Sequence, residues 1–174
     1  MGWFSKETQE KRFEILLQFT HWEGQTLLDV GCGLGDLYHY IKVHTFPIHY
    51  TGIDQTPLHT HYAKMAYPGG TFLTKHILNW TQQVDVCLAS GLFNLRDHNN
   101  NEWIQFENIL RKMIAVSKQG VAFNLLNPQE IHTNDLVSYN KEKVMALCQS
   151  LSKKVIEAPP YLANDYTLFL YKNP

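Results

Sequence analysis

Three glycines at alternate positions, Gly31, Gly33 and Gly35, separate an apolar run from a helix-like segment in the stretch LLDVGCGLGDLYHY (27–40). Glycine lets the backbone turn sharply and approach a ligand that a Cβ atom would hold away. Where such a turn follows a buried strand and precedes a helix, the N–H groups at the helix start can bind a carboxylate or a phosphate. The stretch therefore predicts a ligand-binding loop, with Asp29 beside it at the end of the strand.

The spacing of the glycines bears on which ligand the loop binds. A dinucleotide-binding loop has the pattern G-x-G-x-x-G/A, and its third small residue would fall at position 36, where this chain has Asp36. Another acidic residue, Asp54, ends the next apolar run, 23 positions after Gly31. A carboxylate there can bind the hydroxyl groups of an adenosine ribose. The pattern disfavours a nicotinamide dinucleotide and is compatible with other adenosine-containing ligands.

Two polar loops, 91–103 and 127–140, follow the fourth and fifth apolar runs and are expected at the substrate side of the site. Their candidate side chains are Asn94, Asp97, His98, His132 and Tyr139. Each has a plainer interpretation, since Asn94 is also suited to capping a turn and loop histidines are often solvent-exposed.

The elements that must position these residues alternate along the chain. Apolar, β-branched or aromatic runs occur at 26–30, 49–54, 71–77, 84–90, 120–126, 153–158 and 166–172, and helical periodicity occurs near 6–20, 35–43, 57–66, 101–117 and 139–152. The alternation predicts an α/β fold with a doubly wound, seven-stranded, mainly parallel sheet and helices on both faces. The last two runs are too close for a crossover helix and should pair antiparallel. We expect one domain over 1–174, with a sheet core from 24 and an N-terminal helix in 1–23 that could act as a lid.

Composition restricts the classes of partner. Fifteen Lys and Arg against sixteen Asp and Glu give a net charge of -1, which provides no strong electrostatic signal for nucleic acid. The apolar stretch near the N-terminus is too short and too polar for a signal peptide or a membrane span. Three widely spaced cysteines indicate free thiols in a reducing compartment, so we expect a cytoplasmic protein without a membrane partner. No Cys and His set has the spacing of a zinc site, and the sequence does not distinguish a monomer from a dimer.

These motifs, in this order, resemble those of the class I S-adenosylmethionine-dependent methyltransferases. The glycine loop resembles the first motif of that superfamily, and YTGIDQTP (50–57) resembles the second. VDVCLASGLFNL (84–95) is similar to the fourth-strand motif, and the terminal pair of runs is similar to its antiparallel sixth and seventh strands. The resemblance covers most of 24–172 and implies a Rossmann-like fold, S-adenosylmethionine as the cofactor and S-adenosylhomocysteine as the product.

The resemblance also implies roles for individual residues. The methionine part of the cofactor is expected at Asp29, Gly31, Cys32, Gly33 and Gly35, and its sulfur at Ala89 and Ser90. Asp54 is expected at the ribose, and Gln55, His76 and Ile77 are expected near the adenine. His76 departs from the pattern, since the family usually has an acidic residue there. A neutral imidazole can accept a hydrogen bond from the adenine amino group, as a carboxylate does.

The expected activity is methyl transfer to a small molecule, with Asn94, His98, His132 and Tyr139 as candidate catalytic residues. A base is needed only where the accepting atom is protonated at neutral pH. Two alternatives stay open: a nucleic-acid or protein methyltransferase, and a cofactor-binding relative without activity. A nucleic-acid or protein methyltransferase would need a basic or grooved surface, which the composition does not indicate. The departure at His76 is the sequence feature that supports a relative without activity.

Overall fold

The structure is a computed structural model that describes residues 5–96, 101–127 and 135–172. Its strands are β1 (Gln25–Val30), β2 (Ile48–Asp54), β3 (Thr71–Thr74), β4 (Val84–Ala89), β5 (Ser117–Leu126), β6 (Lys154–Glu157) and β7 (Asp165–Tyr171). Its α-helices are α1 (Lys6–Leu16), α2 (Asp36–Val43), α3 (Pro57–Ala66), α4 (Glu102–Val116) and α5 (Lys141–Leu151). Three short 3₁₀ turns, Leu17–Phe19, Ile77–Asn79 and Leu92–Asn94, complete the regular elements of these ranges.

All seven strands form one sheet in the order β3-β2-β1-β4-β5-β7-β6. The first five pair parallel, whereas β7 pairs antiparallel with both β5 and β6. The predicted Rossmann-like sheet with an antiparallel terminal hairpin is confirmed. Strand order reverses between β1 and β4, so the carboxyl ends of these two strands flank the crevice in which ligands of such sheets bind.

Helices cover both faces of the sheet, as the alternating sequence pattern predicts. One hydrophobic cluster joins α1, α2 and α3 to the sheet and includes Phe13, Leu37 and Ala63. A second cluster on the other face includes Leu110 of α4 and Val144 of α5. Because both faces are buried, the central strands are apolar on both sides, and β4 reads as a nearly continuous apolar run.

Two strand boundaries differ from the sequence prediction, and each has a local cause. β3 ends at Thr74 because the chain then enters a 3₁₀ turn that His76 caps through its side chain. β5 begins at Ser117, three residues earlier than its apolar run, and its pairing with β4 shifts register between Val84 and Val86. The first residues of β5 are polar, so the apolar pattern does not mark them as part of the strand.

The N-terminal segment packs against the sheet near its antiparallel side. The predicted helix over 6–20 is α1 followed by the 3₁₀ turn, and α1 contacts β5 and β7. Arg12 of α1 is 2% exposed and forms an ion pair with Asp165, the first residue of β7. A lid role for this segment stays a prediction. Within the described ranges, no helix is long and apolar enough to cross a membrane.

Candidate active site

A cleft of about 760 Å³ opens at the carboxyl ends of β1, β2 and β4. The segments that follow β1, β2, β3 and β4 line it, and the first turns of α4 form its far wall. Its lining residues are Val30, Gly31, Gly33, Ile53, Asp54, Gln55, Thr56, His59, Lys75, His76, Ile77, Leu78, Ser90, Gly91, Leu92, Asn94, Leu95, Arg96, Gln105, Asn108, Ile109 and Leu136. The cleft is therefore where the sheet topology places a ligand.

Hydrogen bonds hold the glycine loop to the end of β2. The amides of Gly31 and Cys32 donate to the carbonyl of Ile53 at 2.8 and 3.0 Å, and the Gly35 amide donates to the Cys32 carbonyl at 3.0 Å. The Gly33 amide donates to Oδ2 of Asp54 at 3.0 Å. The protein itself uses these four loop amides. The expectation that N–H groups at the start of the following helix bind a ligand stays a prediction.

The glycine loop offers a ligand space that no side chain occupies. Gly33 has a φ of +53° and lines the cleft, and a Cβ atom there would have no protein atom within 4 Å. Gly31 also lines the cleft; its φ of +78° favours glycine, and a Cβ atom there would lie 2.7 Å from Cδ1 of Leu92. Gly35 is the N-cap of α2 and lies outside the cleft lining. Of the three glycines, Gly33 has the geometry of a ligand contact.

The carboxylate of Asp54, the last residue of β2, is held in place by hydrogen bonds. Its Oδ2 accepts from Gly33, and its Oδ1 accepts from the amide of Thr56 at 2.8 Å. Nδ1 of His59 lies 3.3 Å from Oδ1, and the Asp54 side chain is 11% exposed, toward the cleft that it lines. A carboxylate has about four acceptor positions, so Asp54 can still accept hydrogen bonds from a ligand.

His76 also lines the cleft, and a backbone contact at Nδ1 restricts its tautomer. Its Nδ1 accepts from the amide of Leu78 at 3.2 Å, which makes His76 the cap of the Ile77–Asn79 turn. A neutral ring that accepts at Nδ1 carries its proton on Nε2 and can only donate from that atom. The expected role of His76 at the adenine stays a prediction, and in this tautomer Nε2 would donate to the ligand. Ile77 is buried beside it and lines the cleft, and Gln55 lies exposed on the lining.

The end of β4 forms the floor of the cleft. Oγ of Ser90 is buried and has no hydrogen-bond partner among the described residues, and Ser90 lines the cleft. Ala89 is fully buried in the sheet and is not among the lining residues. Gly91 follows with a φ of +70°, and its amide donates to Oδ1 of Asn124 at 2.9 Å. The unpartnered hydroxyl of Ser90 is a polar atom that a ligand can satisfy.

Asp29 lies behind the glycine loop, not in the main cleft. It is 2% exposed and accepts a hydrogen bond from the hydroxyl of Tyr50 at 2.6 Å. It lines a small neighbouring cavity of about 50 Å³, together with Gln9, Phe13, Gly31, Cys32, Gly33, Leu34, Asp36, Leu37 and Ser90. Burial raises the pKa of the Asp29 carboxyl to about 7; the bond from Tyr50 opposes this rise, and the charges of Asp54 and Asp36 add to it.

The candidate catalytic residues divide into three groups. Asn94 is buried in the cleft lining, and its Oδ1 accepts from the Leu126 amide at 3.3 Å. Tyr139 is buried in the core, its hydroxyl donates to the Phe93 carbonyl at 3.2 Å, and burial raises the pKa of that hydroxyl. Asp97, His98 and His132 lie outside the described residues.

Several residues that line the cleft were not predicted from the sequence motifs. They are His59, Lys75, Arg96, Gln105 and Asn108. His59 is in the first turn of the helix after β2, and Gln105 and Asn108 are one turn apart near the start of α4. The sequence could have identified His59, Gln105 and Asn108 by their position, because each is a polar residue in the first turns of a helix that follows a strand. Among the described residues, no group of three or more His, Cys, Asp or Glu could hold a metal ion.

Comparison with known proteins gives one sequence relative and many structural ones. No family model matches the chain. A Mycobacterium tuberculosis protein that carries a provisional methyltransferase name is 29% identical over 149 residues, which cover 81% of this chain and 86% of that protein. The aligned region therefore covers most of each chain.

Two solved structures illustrate the range of structural neighbours. Magnesium protoporphyrin IX methyltransferase from Synechocystis PCC 6803, solved with S-adenosylhomocysteine, has a TM-score of 0.72 and 10% identity; the match covers 96% of this chain and 82% of that one. A small RNA methyltransferase has a TM-score of 0.75 and 14% identity; the match covers 98% of this chain and 26% of that one. These similarities establish the fold, and the two neighbours differ in the class of acceptor that their names give.

The raised pKa of Asp29 predicts a specific dependence of stability on pH. A carboxyl whose pKa is higher in the folded state makes the free energy of unfolding fall as pH rises from about 4 to about 7, by an amount on the order of 4 kcal/mol at most. Asp29→Asn keeps an acceptor for Tyr50 and removes this titration. Urea denaturation across that range should show the variant gaining stability relative to the parent as pH rises. Parallel pH profiles for the two proteins would contradict this assignment.

Proposed function

We propose that this chain, which belongs by fold to the class I S-adenosylmethionine-dependent methyltransferase superfamily, binds S-adenosylmethionine in the cleft and transfers its methyl group to a small molecule. The observation that carries the proposal is the position of Asp54. Its carboxylate is fixed by the Gly33 and Thr56 amides, and faces the cleft beside a glycine where no side chain fills the space. A fixed acceptor next to bare backbone suits a ribose with two hydroxyl groups.

The described residues fit this cofactor on three further grounds. The Ser90 hydroxyl is buried in the cleft without a partner, so it can bond to a polar group of a ligand. Ile77 provides an apolar wall on the side of β3, suited to an aromatic base. Asp29 lies in the small cavity behind the glycine loop, where an acidic group suits an amino group. In this assignment Gly31, Cys32 and Gly33 border the amino-acid end of the cofactor.

The cofactor supplies a methyl group that its sulfonium already activates. The protein must therefore hold the accepting atom in line with that methyl and exclude water. Asn94 is suited to orient the acceptor, because it lies in the cleft wall after β4 and its amide is fixed by the Leu126 amide. An amide cannot act as a base, and the raised pKa of Tyr139 keeps its hydroxyl protonated at neutral pH. For a protonated acceptor, His98 and His132 remain the proposed bases.

The acceptor side of the cleft supports a small molecule. Leu92, Leu95, Ile109 and Leu136 give it an apolar surface, and Arg96 and Asn108 add polar groups at its edge. Such a mixture is typical of small-molecule sites. The net charge of -1 provides no strong electrostatic signal for a nucleic-acid substrate. The structural similarity to a small RNA methyltransferase is the reason to keep a nucleic-acid acceptor as the second candidate. Three buried free thiols suit a cytoplasmic enzyme.

Two measurements test the proposal. Calorimetry with S-adenosylhomocysteine tests the cofactor site, and absence of binding by the folded protein would reject it. Incubation of cell extract with radiolabelled S-adenosylmethionine, followed by ultrafiltration, tests the acceptor. We expect protein-dependent label in a filtrate compound that chromatography separates from S-adenosylmethionine. Label confined to the retained RNA or protein would reject the small-molecule acceptor, and binding without label in either fraction would favour a non-enzymatic relative.

Asp54→Ala should weaken binding of S-adenosylmethionine by about 1.5 to 3 kcal/mol, the range for hydrogen bonds to a charged group. Asp85→Ala is a matched control. Asp85 is a strand carboxylate that accepts from the amide and hydroxyl of Thr26 and from Lys118, but it lies near the start of β4, away from the cleft. Calorimetry should show a loss for Asp54→Ala alone. Equal affinity in a folded Asp54 variant would remove this residue from the site.

Gly33→Ala should weaken cofactor binding, because its methyl group enters the space that the loop leaves open. Alanine at a positive φ also costs about 1 to 2 kcal/mol of stability, so a control for strain is needed. Gly24→Ala provides it, since Gly24 has a φ of +71°, has no atom within 4 Å of its virtual Cβ and precedes β1 at the other end of the sheet. We expect similar losses of stability in both variants and a loss of affinity only in Gly33→Ala.

His76→Asp should bind the cofactor at least as well as the parent. Aspartate is a preferred N-cap, so one oxygen can replace Nδ1 as acceptor from the Leu78 amide, and the other can accept from an adenine amino group. His76→Ala loses the cap and should bind more weakly. Calorimetry of the two variants distinguishes the roles, and identical affinities for all three proteins would show that the side chain at position 76 does not contact the cofactor.

A further inference from the structure

A chain of buried polar contacts connects the N-terminal helix to the floor of the cleft. It starts at Arg12 on α1, passes through Asp165 on β7 and Asn124 on β5, and ends at the amide of Gly91. Arg12 and Asp165 are 2% and 4% exposed, and Asn124 is completely buried. We propose that Asn124 is a positioning residue of the methyl-transfer site, which holds Gly91 and Ser90 in place and is itself oriented by Asp165 and Arg12. This inference rests on the proposed function.

The orientation of the Asn124 amide follows from the chemistry of its neighbours. Its Nδ2 donates to both oxygens of the Asp165 carboxylate at 3.1 Å, and its Oδ1 accepts from the Gly91 amide at 2.9 Å. An ionised carboxylate only accepts, and a backbone amide only donates. If the Asn124 amide were flipped, its oxygen would face the carboxylate and its NH₂ group would face the N–H of Gly91. The two partners therefore select one orientation.

Arg12 supports that selection by favouring the ionised form of Asp165. Its Nε donates to Oδ2 of Asp165 at 2.5 Å. Burial raises the pKa of the Asp165 carboxyl above its ordinary value, whereas Arg12, the Tyr161 hydroxyl and Asn124 oppose that rise. A protonated Asp165 could donate to Asn124 and would no longer require the observed orientation. The N-terminal helix thereby acts on the cleft through two intervening side chains.

The last bond of the chain acts at a place where the backbone needs support. Gly91 has a φ of +70° and caps the Leu92–Asn94 turn, and no side chain of its own fixes it. It lies next to Ser90, whose buried hydroxyl is unpartnered, and both residues line the cleft. Buried ion pairs contribute little net stability, so the proposed role of this network is to fix the Gly91 amide at the cleft.

Exchanging the two side chains tests the proposal. Asp165→Asn removes the acceptor-only partner and should lower affinity for S-adenosylhomocysteine about tenfold, because the Gly91 amide loses its partner in part of the population. Combining it with Asn124→Asp restores the pattern. The new carboxylate can accept from Gly91 and from the new amide at position 165. That amide places its oxygen at the position of Oδ2, facing Arg12, and its NH₂ group at the position of Oδ1, where the Tyr161 hydroxyl can accept while it donates to Thr167. The double variant should recover affinity to within about threefold of the parent, less than 1 kcal/mol.

The amide resonance of Gly91 provides a readout that does not depend on catalysis. In ¹H–¹⁵N spectra its hydrogen exchange should be slow in the parent, fast in Asp165→Asn and slow again in the double variant. Ser152→Ala is the matched control, since it removes a hydrogen bond from a buried hydroxyl to the backbone of β7 without touching Asp165 or Asn124. We expect it to lower stability but to leave both the affinity and the Gly91 exchange unchanged.

Asn124→Ala covers the case in which the double variant fails to fold. This substitution only removes atoms, and it should weaken binding and expose the Gly91 amide to exchange. Parent-like affinity in folded Asn124→Ala, or a folded double variant as weak as Asp165→Asn, would overturn the proposal. A parent protein that does not bind S-adenosylhomocysteine would instead overturn the proposed function, so the two failures are distinguishable.

Discussion

The candidate site depends on one constraint: parallel strands β1 and β2 end at the same level, and the loop after β1 is bound to the end of β2. The carbonyl of Ile53 accepts from both Gly31 and Cys32, and the carboxylate of Asp54 accepts from Gly33. These bonds determine where the loop turns and where the carboxylate points. The carboxylate that we propose binds the ribose and a backbone surface free of side chains are thereby brought together by the same contacts, so neither can shift without the other.

Much of this arrangement could be predicted from the sequence, because its determinants are local. Apolar runs located the strands, and a carboxylate at the end of β2 had to share an edge with the glycines after β1. What the sequence concealed depends on partners far away along the chain. The sequence did not reveal that Ile53 and Asp54, on another strand, accept hydrogen bonds from the amides of the glycine loop. Asn124 lies in an apolar run and reads as a core residue, and its partner Asp165 is 41 positions away.

The departure at His76 shows how one local contact changes the meaning of a motif position. Its Nδ1 supports the turn after β3, and this contact assigns the ring proton to Nε2. The family that the sequence resembles has a hydrogen-bond acceptor at this position, whereas His76 in this tautomer presents a donor at Nε2. The part of the cleft proposed to hold the adenine is consequently better described by its apolar wall at Ile77 than by a residue-for-residue match to the family.

The bond between Arg12 and Asp165 joins an early helix to the last strand, and this has a consequence for synthesis on the ribosome. Strands β1 to β5 and their helices can leave the exit tunnel and associate before residue 165 has been made. Until then Arg12 and Asn124 lack their shared partner, and no carboxylate at position 165 is present to orient the Asn124 amide. The nascent chain thus acquires its glycine loop early and the support for its cleft floor late. A chain that stalls before β7 would therefore carry the glycine loop without the support of its cleft floor.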